Sequence, residues 1–147
     1  MGAQLLIVDD ELEIRKSLEI YFKSLGYEVD LAEDGQAGID MLMVKRFDII
    51  VSDISMPRKD GIELLREVRH NYPMTRVIII TGYISLEYAL SCMRLGADTC
   101  VFKPFDNLDE LTDAVATSLK NHQQWQKKLK ELVGMKSRDL GGTYDNK

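Results

Sequence analysis

The sequence predicts a doubly wound α/β domain: a five-stranded parallel sheet in the order 2-1-3-4-5, helices on both faces, and an extended C-terminal helix. Three observations carry this. Five short apolar runs alternate with five segments of helical period, joined by short loops. The third and fourth runs, residues 48–52 and 76–80, are nearly continuous in apolar side chains, as strands buried on both faces require. Right-handed crossovers then leave few topologies, and the doubly wound order leads among them.

Residues 5–8 read as a buried strand that ends at Asp9-Asp10. In residues 11–25 the apolar Ile14, Leu18, Phe22 and Leu25 share one helical face, and Gly26 stands where a helix C′ residue belongs. Residues 28–32 make a less apolar strand suited to an edge, and 36–45 a second helix. The third strand, 48–52, ends at Asp53, and a loop runs from Ile54 to Gly61. Residues 62–70 form a helix with Ile62, Leu65 and Val68 inward. The fourth strand closes at Thr81-Gly82, and residues 86–95 form the fourth helix. Residues 99–102 form the fifth strand, followed by Lys103-Pro104.

A last helix begins near Leu108. Leu108, Leu111, Val115, Ser118, His122, Trp125, Leu129 and Leu132 recur at alternating steps of three and four. About 25 residues of helix span roughly 37 Å, about twice what a domain of this size needs. The chain therefore divides into a domain over 4–120, a helical extension or linker over 121–133, and a polar tail over 134–147 expected to be disordered. Met41, Met43, Met93 and Cys92 read as core filler, His70 and His122 as surface or linker residues, and Trp125 as a side chain buried against a partner or neighbouring helix.

The chain has 147 residues, 45% hydrophobic and 29% charged, with a net charge of −5. That composition suits a folded domain with a short appendage and argues against a broad nucleic-acid surface. Cys92 and Cys100 lack metal-type spacing, so a disulfide framework is not expected and a reducing cytoplasm is. The first residues lack a signal peptide, Leu6 breaks the myristoylation pattern, and no apolar run approaches the roughly 20 residues of a membrane span.

Asp9, Asp10, Asp53, Thr81 and Lys103 each fall at the predicted C-terminal end of a strand. In a doubly wound sheet those ends meet at one rim, where ligands bind. Three carboxylates crowded together call for a hard cation, and Mg²⁺ favours a few carboxylates, waters and a phosphate oxygen. Three carboxylates, Mg²⁺ and Lys103 sum to zero charge. The set suits phosphoryl transfer, with Asp53 as nucleophile, Lys103 neutralising charge and Thr81 donating a hydroxyl.

These residues resemble a response regulator receiver domain of two-component signalling. The matching pieces are Val8-Asp9-Asp10-Glu11, Asp53-Ile54-Ser55-Met56-Pro57 with Asp60-Gly61, Ile80-Thr81-Gly82, and Lys103-Pro104-Phe105. The resemblance covers residues 5–120. It implies a flavodoxin-like fold and a phosphoacceptor, Asp53, served by a histidine kinase or phosphotransfer protein. Asp9, Asp10, Asp53 and the backbone carbonyl of Ser55 would hold Mg²⁺, with Thr81 and Lys103 contacting the phosphoryl group. The bond before Pro104 is expected to be cis. Such a domain is a signalling switch and not a turnover enzyme, at most charging itself from small donors and losing its phosphoryl group to water. A homodimer through the last helix is a further expectation, and no direct nucleic-acid or membrane contact is.

Two features stand apart from the family pattern. Cys100 occupies the position three residues before the lysine, where receivers carry a switching Tyr or Phe. Tyr83, beside the expected phosphoryl position with Ser55, predicts modest self-dephosphorylation. Two rivals share part of the pattern. A haloacid-dehalogenase-like phosphohydrolase needs a second Asp where Ser55 stands, and a cap domain for which the length leaves no room. A phosphorylation-independent interaction module of the same fold is favoured only by Cys100.

Overall fold

The computed structural model describes residues 2–56, 58–82 and 85–135; Pro57, Tyr83 and residues 136–147 of the expected tail lie outside the described residues. The elements follow the predicted alternation: β1 (Gln4–Val8), α1 (Leu12–Ser24), β2 (Glu28–Ala32), α2 (Gly35–Leu42), β3 (Ile49–Asp53), α3 (Gly61–Asn71), β4 (Arg76–Thr81), α4 (Leu86–Arg94), β5 (Thr99–Phe102) and α5 (Asp109–Met135). The sheet runs β2-β1-β3-β4-β5 with every pair parallel.

Alternation along the central strands builds two cores. Leu6, Val8, Ile50, Val77 and Ile79 point to one face, where Ile39, Leu42, Leu64, Leu65, Val68 and Cys92 of α2, α3 and α4 cover them. Leu5, Ile7, Ile49, Val51, Ile78 and Ile80 point to the other, under Leu18, Phe22, Leu111 and Val115 of α1 and α5. Each such fully buried aliphatic side chain contributes about 1.5–3 kcal/mol, so two dry layers hold the strand ends in fixed register.

The helix ends follow local chemistry. Gly26 has φ of 98° and closes α1: its N–H reaches Lys23 O at 3.0 Å, and Tyr27 N–H reaches Phe22 O at 3.1 Å. That paired bonding needs a left-handed residue, which glycine adopts without strain. Asp60 and Glu63 form a reciprocal capping box at the start of α3.

Several expectations are corrected. On α3 Leu64, unexpected, joins Leu65 and Val68 fully inward, and Ile62 packs against the core half-buried, because a 3.6-residue period favours 61, 64, 65 and 68 over steps of three. Leu25 is exposed, since it follows the last turn of α1. Met43 and Met93 are 73% and 71% exposed and fill no core; Met43 lies just past α2, and Met93 on the outer side of α4. Helix α2 ends at Leu42, three residues sooner than predicted, and Lys45 then pairs with Asp30 at 2.6 Å.

His122 is not a surface or linker residue. It is buried, with Nδ1 2.8 Å from Met74 O and Nε2 2.9 Å from Asp48 Oδ1. The Nε2 contact is out of line for a hydrogen bond, so it counts as electrostatic proximity. The α5 stripe is thus buried at Leu111, Val115, Ser118 and His122, then continues exposed at Trp125, Leu129 and Leu132.

Candidate functional site

The site forms where β1, β3 and β5 end. Asp9 follows β1 fully buried, and its Oδ1 accepts the Glu11 N–H at 2.8 Å, a tight turn that launches α1. Arg15 braces the turn by donating Nη1–H to Asp9 O at 2.6 Å. Asp53 is the last residue of β3, and its Oδ1 accepts the N–H of Ile54 at 2.8 Å. The β3–α3 loop then returns so closely that a Cβ on Gly61 would lie 2.1 Å from Asp53 O; only glycine fits. Arg58 and Lys59 adopt left-handed backbone, with φ of 49° and 60°. Lys59 O is held by Gly35 N–H at 3.0 Å, so the first residue of α2 fixes this strained turn.

Lys103 follows β5, and its peptide bond to Pro104 is cis, as expected. Its N–H donates to Thr81 O at 2.9 Å, which ties it to the end of β4. The ammonium lies 2.7 Å from Asp9 Oδ2, 2.9 Å from Glu11 Oε1 and 3.2 Å from Asp53 Oδ2. The Asp9 contact is an ion pair without hydrogen-bond alignment, whereas those to Glu11 and Asp53 are aligned. Burial opposes the ammonium, but its close contacts with the Asp9 and Glu11 carboxylates and the charge of Asp53 outweigh that and raise its pKa well above the usual lysine range. Asp53 moves the other way from most paired carboxylates. Burial, helped by the Asp9 charge, outweighs Lys103 and lifts its pKa.

The five strand-end residues meet as predicted to differing degrees. Asp9, Asp53 and Lys103 touch. Asp10 is exposed, yet its carboxylate joins those of Asp9, Glu11 and Asp53, with one oxygen from each within 4.8 Å of the others. Thr81 is buried at the end of β4, one step beyond the strand partner of Asp53. Ser55 is exposed, two residues past Asp53. Cys100 is half-buried on the α4 side of β5, and burial pushes its thiol up to about 11. Phe102 is about half exposed.

Sequence reasoning missed Glu11 as a site residue. The signal was the unbroken Asp-Asp-Glu run after β1. Four carboxylates cluster, three of them on one ammonium, and all their donors are hard oxygens, so the set fits a divalent cation such as Mg²⁺.

A parallel sheet with an acidic, lysine-bearing cluster at its carboxyl rim defines a doubly wound protein whose candidate site lies where that fold binds ligands. Residues 5–116 match the response regulator receiver domain, and the chain belongs to that family. It is 37% identical over 129 residues to the regulatory protein AtoC of Escherichia coli and 34% identical over 136 residues to the DNA-binding transcriptional regulator NtrC of Klebsiella pneumoniae. Those matches cover 88% and 92% of this chain, which spans only 28% and 29% of the two relatives' lengths.

Solved structures agree. A CheY-like receiver domain protein from Methanospirillum hungatei matches with a TM-score of 0.81 at 30% identity, covering 84% of this chain and 98% of that one. The response regulator TrrA of Thermotoga maritima, solved in complex with Mg²⁺ and BeF, matches at 0.73 and 34% identity, covering 80% and 99%.

Proposed function

We propose that this chain accepts a phosphoryl group on Asp53, with Mg²⁺, from a sensor histidine kinase or phosphotransfer protein, and passes the change to an output or partner. The supporting observation is the Lys103 ammonium seated between the Asp9 and Asp53 carboxylates at the sheet rim. An Asp53 oxygen attacks phosphorus; the P–N bond of the donor phosphohistidine breaks, and its electrons leave with the imidazole. Lys103 meets charge on a phosphoryl oxygen, and Thr81 offers a hydroxyl. Asp9, Asp10, Asp53 and the Ser55 carbonyl would hold Mg²⁺, which would supply charge neutralisation there. Positioning and electrostatics provide most of the acceleration.

The role is that of a cytoplasmic signalling acceptor, with self-phosphorylation from small donors and self-dephosphorylation as its only chemistry. Residues 4–120 form the acceptor domain. The exposed Trp125, Leu129 and Leu132 stripe continues a heptad-like spacing and suits a homodimer through α5. DNA binding, named for the Klebsiella relative, is not assigned to this acidic chain. Among the described residues no helix is long and apolar enough to cross a membrane.

Acetyl phosphate with Mg²⁺ is expected to label the parent and not Asp53→Asn; equal labelling of the two sinks the reading. A second reading, an interaction module indifferent to phosphorylation, draws on Cys100 in the switch position. Failure of beryllofluoride with Mg²⁺ to alter the protein in solution supports that one.

A further inference from the structure

The charge count at the site leaves one acid over. Asp9, Asp10 and Asp53 with Lys103 are balanced by one divalent cation. Glu11 is a fourth carboxylate in the same cluster, and phosphorylation of Asp53 only adds negative charge. Glu11 is the N-cap of α1, but its side chain makes no capping bond and instead accepts from Lys103 Nζ at 2.9 Å. Its side chain is 60% exposed, against 0% for Asp9 and 7% for Asp53. Asp10 is exposed as well, but it is counted among the proposed Mg²⁺ ligands, so the charge left over, that of Glu11, stands on the solvent side, from which a donor arrives.

We infer that Glu11 is a specificity-determining residue: its carboxylate repels free anionic phosphodonors and so favours donors carried by a docked protein. The inference rests on Asp53 being the phosphoacceptor. A protein donor recovers the repulsion through contacts at its interface, whereas a small ion has none to offer. The effect scales with donor charge. With acetyl phosphate, a dianion, an Asp53 oxygen bonds to phosphorus as the acyl C–O–P link breaks and acetate leaves. With phosphoramidate, a monoanion, the P–N bond breaks and ammonia leaves. A surplus charge about 6 Å away in water-like surroundings slows approach roughly threefold per unit of donor charge.

The test measures initial rates of Asp53 labelling by both donors at saturating Mg²⁺, for the parent, Glu11→Gln and Glu11→Asp. Glu11→Gln is expected to speed acetyl phosphate about tenfold and phosphoramidate about threefold, and both gains should shrink in about 0.5 M KCl. Glu11→Asp, which keeps the charge, should keep the parent's ratio of the two rates. A purely structural role would move both donors equally. A ratio unmoved in Glu11→Gln, or moved equally in Glu11→Asp, overturns the inference while parent labelling at Asp53 stands. Absence of parent labelling with either donor overturns the phosphoacceptor reading, and this inference with it.

Discussion

The two ends of the sheet treat charge in opposite ways. At the carboxyl end four carboxylates cluster, and three of them, Asp9, Glu11 and Asp53, contact one ammonium. At the amino end each carboxylate has partners within the chain. Arg76 grips Asp98 with contacts of 2.6 and 3.1 Å, and Ser118 donates its hydroxyl to the same carboxylate at 2.7 Å. Asp48 accepts Gln4 N–H at 2.7 Å on one oxygen and lies 2.9 Å from His122 on the other. The same fold thus holds one edge whose carboxylates are partnered within the chain and one whose surplus carboxylates suit a divalent cation. An excess of buried like charge costs stability, and this is why the proposed chemistry is assigned to the carboxyl end.

The largest test of that contrast is Lys103→Ala. Labelling by acetyl phosphate should fall about 10²–10³-fold, the scale for losing one preorganised charge partner. A loss under tenfold would mean that the ammonium serves the fold, like Arg76, and the contrast breaks. Next is Arg76→Met. It strands the Asp98 carboxylate, which is 8% exposed, and should cost about 2–3 kcal/mol in urea unfolding, with the labelling rate unchanged. A changed labelling rate with intact folding would show that the amino end also takes part.

Most of the carboxyl end was legible in the sequence. A run of apolar residues stops where a strand stops, so Asp9, Asp53, Thr81 and Lys103 announced their rim without any knowledge of side-chain positions. Glu11 was missed because an exposed acid opening a helix looks like any solvated glutamate until Lys103, 92 residues away, is seen to reach it. The amino end was harder. His122 lay on the predicted stripe, but its partners, Asp48 and Met74 O, come from two distant turns that spacing along α5 does not reveal. Met43 and Met93 failed for a simpler reason: a methionine is apolar enough for a core and flexible enough for a surface, and composition does not choose.

Mg²⁺ should distinguish the ends more gently. A cation that binds only the folded state stabilises by mass action, about 1.4 kcal/mol at ten times its Kd. The parent and Arg76→Met should gain equally in melting experiments, because the altered edge holds no part of the cluster. Asp53→Asn should gain less. An equal gain in Asp53→Asn would place the ion elsewhere.

The smallest effect is a pH dependence of the metal-free protein. Asp53 has its folded pKa raised, by burial first and then by Asp9, with Lys103 opposing. A carboxyl raised on folding favours the native state while protonated, below its unfolded value of about 3.9, and that contribution is lost as pH rises through the folded value. The side-chain amide of the Asp53→Asn variant has no such titration. With chelator present, the variant's melting temperature should therefore pull ahead of the parent's as pH rises out of the acid range, and the gap should then level off near neutrality. Lys103 cannot imitate this. Its pKa is also raised, so its contribution is present below about pH 10.4 and fades only at alkaline pH. A gap that widens toward acid instead would mean that Lys103 governs Asp53 more than burial does, and the carboxyl end would then be as balanced as the other.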